Sequence, residues 1–142
     1  VIDDLRAHGL KLTALDGYDA TATPRLETDA TALADADLVI LAVKSPATED
    51  AARDIAAHAK PGAVVLSLQN GVSNAARIAA LCPQQHVVAG MVPYNVAQPG
   101  PGHYHQGTGG GLKAADDSAI RPFAPAFTAA RQPLDLQADM DS

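Results

Sequence analysis

The feature that most constrains this chain is a run of six aliphatic residues, Leu38-Val39-Ile40-Leu41-Ala42-Val43, with no polar residue to mark an outward face. A strand with one wet face alternates apolar and polar residues. A continuous run belongs instead to a strand covered on both faces, as in parallel sheets flanked by helices. The pattern then repeats. Ser45-Pro46 reads as an N-cap and first turn, with Ala51, Ile55 and Ala59 as the apolar stripe of a helix that Lys60-Pro61-Gly62 stops. A second run, Ala63 to Leu68, predicts another buried strand, and a second helix follows over 73–81. His86 to Val92 supplies a third strand. Strand, helix, strand, helix, strand at this spacing predicts crossover units and a parallel sheet.

The flanks are different in kind. Residues 1–8 read as the end of a helix closed by Gly9, and Leu10, Leu12 and Ala14 alternate as a strand. Asp16 to Asp35 reads as a short strand and loops. Gln98 to Gly111 carries six glycines and two prolines around His103-Tyr104-His105, which predicts hairpin or meander structure with tight turns. A last helix falls within 119–131, its regular part confined by Pro122 and Pro125, and Leu134 to Leu136 alternates like a strand. Both ends read as interrupted elements, which predicts a piece of a longer protein.

Composition excludes several classes of function. Ten Lys and Arg face sixteen Asp and Glu, for a net charge of −6, so no basic surface awaits nucleic acid or an anionic membrane. No apolar run approaches the roughly 20 residues of a membrane span. A lone cysteine, Cys82, forms no internal disulfide, and no clustered Cys/His set suggests zinc. The expectation is a soluble, cytoplasmic domain with no nucleic-acid or membrane partner and no metal. Thirty alanines and 4% aromatics make its core aliphatic and thin.

Ligands of open parallel sheets bind beyond the carboxyl ends of the strands. Lys44 follows the first buried strand and Asn70 the second, each just before a turn into a helix. A cation and an amide beside helix N-termini suit a phosphorylated or carboxylated ligand. The plainer alternatives are a solvated lysine and an ordinary Asn-Gly turn. His103 and His105, two apart, face the same way on a strand, but such pairs are more often surface residues and carry no metal assignment. Cys82 reads as a buried or idle thiol rather than a nucleophile. Gly107-Thr108-Gly109-Gly110-Gly111 lacks the Gly-Lys-Ser/Thr ending of a phosphate loop and reads as a hairpin turn.

Three segments together resemble the ketopantoate reductase (2-dehydropantoate 2-reductase) family: Asp-Leu-Val-Ile-Leu-Ala-Val-Lys-Ser (37–45), Val-Leu-Ser-Leu-Gln-Asn-Gly-Val (65–72) and Val-Val-Ala-Gly-Met-Val-Pro-Tyr-Asn-Val (87–96). The later stretch Pro101 to Gly111 is similar to the family's β-meander. The resemblance implies an α/β fold, an incomplete Rossmann-like (doubly wound) parallel sheet with a C-terminal β-meander that lacks its first βαβ unit. It implies a partial dinucleotide-binding domain over residues 1–142, without the glycine-rich turn and the helical catalytic domain. It also implies NADPH as cofactor and hydride transfer to the carbonyl of a small 2-keto acid, ketopantoate to pantoate, on the route to coenzyme A.

By motif match, Lys44, Asn70 and Val96 would bind the cofactor, and Asn70 would also meet the substrate. No catalytic residue is assigned, because the family's proton-donor lysine belongs to the helical domain. The resemblance leaves a homodimer open for the full-length protein. Two other readings stand beside it: a reductase of another 2-keto acid, and a non-catalytic truncated product or small binding module. The isolated chain is expected to lack turnover.

Overall fold

A computed structural model of the chain describes residues 2–69, 72–138 and 140, and leaves the side chains of Ser45 and Val72 undescribed. In chain order the elements begin with α1 (Ile2–His8), β1 (Leu10–Ala14), β2 (Asp19–Ala22), β3 (Leu38–Leu41), α2 (Thr48–His58), β4 (Val64–Ser67), α3 (Val72–Leu81) and β5 (His86–Met91). There follow β6 (Val96–Gly100), β7 (His103–Gln106), β8 (Leu112–Ala115), α4 (Ala124–Ala129) and β9 (Leu134–Gln137). Short 3-10 turns occupy Ala30–Asp35, Ser45–Ala47 and Arg121–Phe123. The chain forms two compact units: Val1–Thr28 with Pro93–Gly110, and Asp29–Val92 with Gly111–Ser142.

The smaller unit is a four-stranded sheet in the order β2-β1-β7-β6. Gly9 closes α1 at φ +73, its amide donating to the Leu5 carbonyl at 2.8 Å. That is the left-handed helix ending the sequence predicts. Strands β6 and β7 form the expected hairpin, and β7 also runs parallel to β1. Their turn needs glycine at 102: its φ is +69, and a Cβ there would lie 2.5 Å from the Gly9 carbonyl oxygen.

The larger unit holds the repeated pattern. Its sheet runs β3-β4-β5-β8-β9, with β3, β4 and β5 mutually parallel. Every residue of β4 is buried, the aliphatic Val64 to Leu66 and the terminal Ser67 alike. Val65 packs with Ala52 and Ile55 of α2 and with Ile78 of α3, joined by Leu41 and Cys82. Leu66, fully buried, points to the opposite face. A parallel pair needs a crossover, and α2 and α3 supply it on this cluster. Strands β8 and β9 are also parallel, connected through α4, and β8 is antiparallel to β5. This is the α/β, Rossmann-like arrangement the sequence predicts, carried by β3, β4 and β5.

Three local expectations are corrected. The run 38–43 predicts a strand buried on both faces, but β3 stops at Leu41 and lies at the sheet edge, with Ile40 47% exposed. Only the face of Val39 and Leu41 meets the helices. Helix α2 starts at Thr48 rather than Pro46, because Ser45–Ala47 wind as a 3-10 turn, and its N-cap residue is Ala47, which makes no side-chain cap bond; the Ser45 side chain lies outside the described residues. Gly107 to Gly111 is not a hairpin turn: β7 and β8 belong to different sheets, so the segment is a connector.

Two predictions follow from this packing. A Cβ on Gly90 would lie 2.9 Å from Leu66 Cδ1 and 3.0 Å from the carbonyl oxygens of Ser67 and Lys113. Gly90→Ala should therefore lower stability by about 1–3 kcal/mol in urea unfolding, and an unchanged midpoint would contradict the close fit of β4, β5 and β8. Asp117 accepts from the Ala119 amide at 2.8 Å and pairs with His86 at 2.8 Å. Those bonds, the Ala119 amide first, hold its carboxyl below the usual carboxylate range. A depressed folded-state value contributes stability above the unfolded value, about pH 4, and loses it as pH falls through the folded one. Thermal melts from pH 6 to about pH 3 should show Asp117→Asn losing less on acidification than the parent. Parallel declines would remove Asp117 from the account.

Candidate functional site

Parallel β3 and β4 end on the same edge, with Leu41 level with Ser67. The residues that follow them therefore share that edge. Lys44 stands exposed three residues beyond Leu41, and its carbonyl accepts the Ala47 amide at 2.9 Å to open the turn into α2. An ammonium at the carboxyl end of a parallel strand, ahead of a helical turn, has the chemistry to meet an anionic nucleotide. Asn70 lies outside the described residues. Val96 opens β6 in the smaller unit, level with Gln106 and 53% exposed.

The residue that organises this edge is Gln69, which the sequence reading does not single out. It is 7% exposed and both ends of its amide are used. Oε1 accepts from the Thr48 hydroxyl at 2.9 Å, and Nε2 donates to the Val43 carbonyl at 2.6 Å. Thr48 itself is 1% exposed. One side chain thus ties the chain leaving β4 to the chain leaving β3 and to the first residue of α2, on either side of Lys44. The Leu68 amide adds a bond to the Leu41 carbonyl at 3.0 Å. A polar amide just past the end of a largely apolar, fully buried strand was the available signal: buried there, it must find partners. Nearby, the Ser67 hydroxyl is buried without a hydrogen-bond partner among the described residues.

The remaining candidates resolve simply. Cys82 is buried, its Sγ donating to the Ala52 carbonyl at 3.1 Å, and burial pushes the thiol pKa up, so it is no nucleophile. His103 and His105 face the same way on β7, as expected, and both reach Thr13 on β1. No helix among the described residues is long and apolar enough to cross a membrane.

Comparison with known proteins agrees with this fold. The family model for ketopantoate reductase PanE/ApbA matches residues 1–118. The 2-dehydropantoate 2-reductase of Halobacterium salinarum is 37% identical over 129 residues, covering 87% of this chain and 42% of that protein. The chain thus spans less than half the length of this curated relative. The crystal structure of a PanE/ApbA family ketopantoate reductase from Ralstonia eutropha superimposes with a TM-score of 0.86 at 33% identity, over 97% of this chain and 46% of that one. The 2-dehydropantoate 2-reductase of Porphyromonas gingivalis, at 19% identity, shares the fold with a TM-score of 0.82, over 97% of this chain and 50% of that one.

Gln69→Leu would strand the buried Thr48 hydroxyl and remove the bond to the part-buried Val43 carbonyl. It should cost about 2–3 kcal/mol in urea unfolding, whereas Thr48→Val, which removes a single donor, should cost about 1 kcal/mol. Equal stabilities of both variants and the parent would show that the amide ties nothing.

Proposed function

The chain belongs to the ketopantoate reductase PanE/ApbA family, and from that membership we propose that it is the nucleotide-binding portion of an NADPH-dependent 2-dehydropantoate 2-reductase. The observation that carries the reading is the placement of Lys44: the motif lysine stands exposed where parallel β3 ends, beside the end of β4.

In this reading the Lys44 ammonium neutralises cofactor phosphate charge, and the Gln69 amide keeps the backbone on either side of it in place. Asn70 offers its carboxamide between the nicotinamide end and the substrate, and Val96 offers backbone contact to the cofactor. When bound, NADPH supplies the hydride that reduces the keto carbon of 2-dehydropantoate. The proton for the resulting alkoxide comes from a lysine of a helical domain beyond these residues. The whole protein is cytoplasmic and acts on a small 2-keto acid, and as a dimer it would pair two such units.

The test uses the full-length protein that contains these residues, followed by loss of reduced-nicotinamide absorbance. 2-Dehydropantoate should give the highest kcat/KM among 2-keto acids, and NADPH should exceed NADH. Lys44→Ala should raise the KM for NADPH about tenfold, the worth of one charge-assisted bond. Asn70→Ala should lower kcat/KM about a hundredfold. Preference for another 2-keto acid would shift the substrate assignment, and a Lys44→Ala enzyme with unchanged KM would remove the lysine from the cofactor site.

A further inference from the structure

The smaller unit carries a side-chain cluster that the proposed reaction leaves unused. His103 and His105 project from the same face of β7, and Thr13 of β1 stands level with His105 in the parallel ladder. Thr13 Oγ1 lies 2.7 Å from His103 Nε2 and 2.8 Å from His105 Nδ1. Two ring nitrogens from different imidazoles therefore converge on one oxygen.

That oxygen carries one proton and can donate it to only one ring. The other ring must donate its own N–H to the oxygen. The arrangement thus gathers a nitrogen lone pair and a second, exchangeable ring nitrogen about the Thr13 hydroxyl oxygen on one face of the sheet. Shift of that N–H proton to the ring's other nitrogen turns the set into two nitrogen donors and one oxygen donor. The lateral neighbours on β6 are small, Ala97 level with His105 and Gly100 with His103, while on β1 the cationic Lys11 stands level with His103. On the other flank Asp19 stands level with Thr13, and its carboxylate lies 4.0 Å from the Lys11 ammonium.

We propose that His103, His105 and Thr13 form a binding site for one divalent late transition-metal ion, of the nickel, copper and zinc class that imidazole favours. The ion takes His103 Nε2 and His105 Nδ1 as its two strong ligands, at about 2.0–2.1 Å, and the Thr13 hydroxyl as a weak third. No third His, Cys, Asp or Glu completes the set among the described residues. The remaining positions go to water, so the site is open rather than a closed structural zinc centre. Because one ligand comes from β1 and two from β7, the ion cross-braces the parallel pair and stabilises the folded state by mass action.

The experiment titrates Ni2+ alone into the protein by calorimetry and follows thermal melting in the same series. Binding should saturate at one ion per chain and raise the melting temperature. His103→Gln and His105→Gln should each weaken binding about tenfold or more, while His86→Gln leaves it unchanged. No saturation at millimolar Ni2+, or equal affinity in the parent and the His103→Gln/His105→Gln double variant, overturns the proposal. If the variants do not fold, long-range 1H–15N spectra of the parent with Zn2+ decide it. Perturbation of Nε2 of His103 with Nδ1 of His105 supports the site, and perturbation confined to other histidines sinks it.

Discussion

The larger unit depends on one buried strand. β4 has a hydrogen-bonded neighbour on each side and an apolar layer on its helix-facing side, and all four of its residues are buried. Because its neighbours are parallel to it, each connection must leave one edge of the sheet and return to the other, and that geometry creates α2 and α3. Alanine then sets how near the helices come: Ala52 is fully buried against the cluster that holds Val65, Ile78 and Cys82. The same geometry gathers the residues that follow β3 and β4 onto one edge, and this is where chemistry can collect.

What was legible in the sequence was whatever depends on local periodicity. The runs at 63–68 and 86–92, the helix over 73–81, the glycine closing α1 and the hairpin around Pro101-Gly102 all correspond to elements of the structure. Lys44 could be nominated because a strand end and a helix start bracket it. The lateral position of β3 was not legible, since a continuous aliphatic run states the composition of a strand and not how many neighbours it acquires. Its exposed Ile40 follows from that position. The late start of α2 has a tertiary cause as well: Thr48, which a local reading passes over, is committed to an amide 21 residues away.

Polar convergence across long separations was the least legible feature. Thr13 and its two histidine partners stand 90 and 92 residues apart in the chain, and only the parallel pairing of β1 with β7 unites them. Gln69 was hidden for a related reason. Within the motif segment the role falls to its neighbour Asn70, whereas Gln69 works by closing two hydrogen bonds that no spacing rule anticipates. In both places the informative event is a polar side chain finding partners from other elements. A buried or half-buried polar group must do so, because an unpartnered one is costly.

The lateral position of β3 has a dynamic consequence. Along its free side, β3 has no ladder partner among the described residues, whereas β4 is bonded on both sides. Opening β3 breaks one ladder and withdraws Leu41 and Val39 from the helix-backed cluster, while opening β4 breaks two ladders and removes Val65 from the middle of that cluster. Protection of backbone amides against solvent deuterium therefore rises steeply from β3 to β4, so that local and global opening diverge within a single sheet.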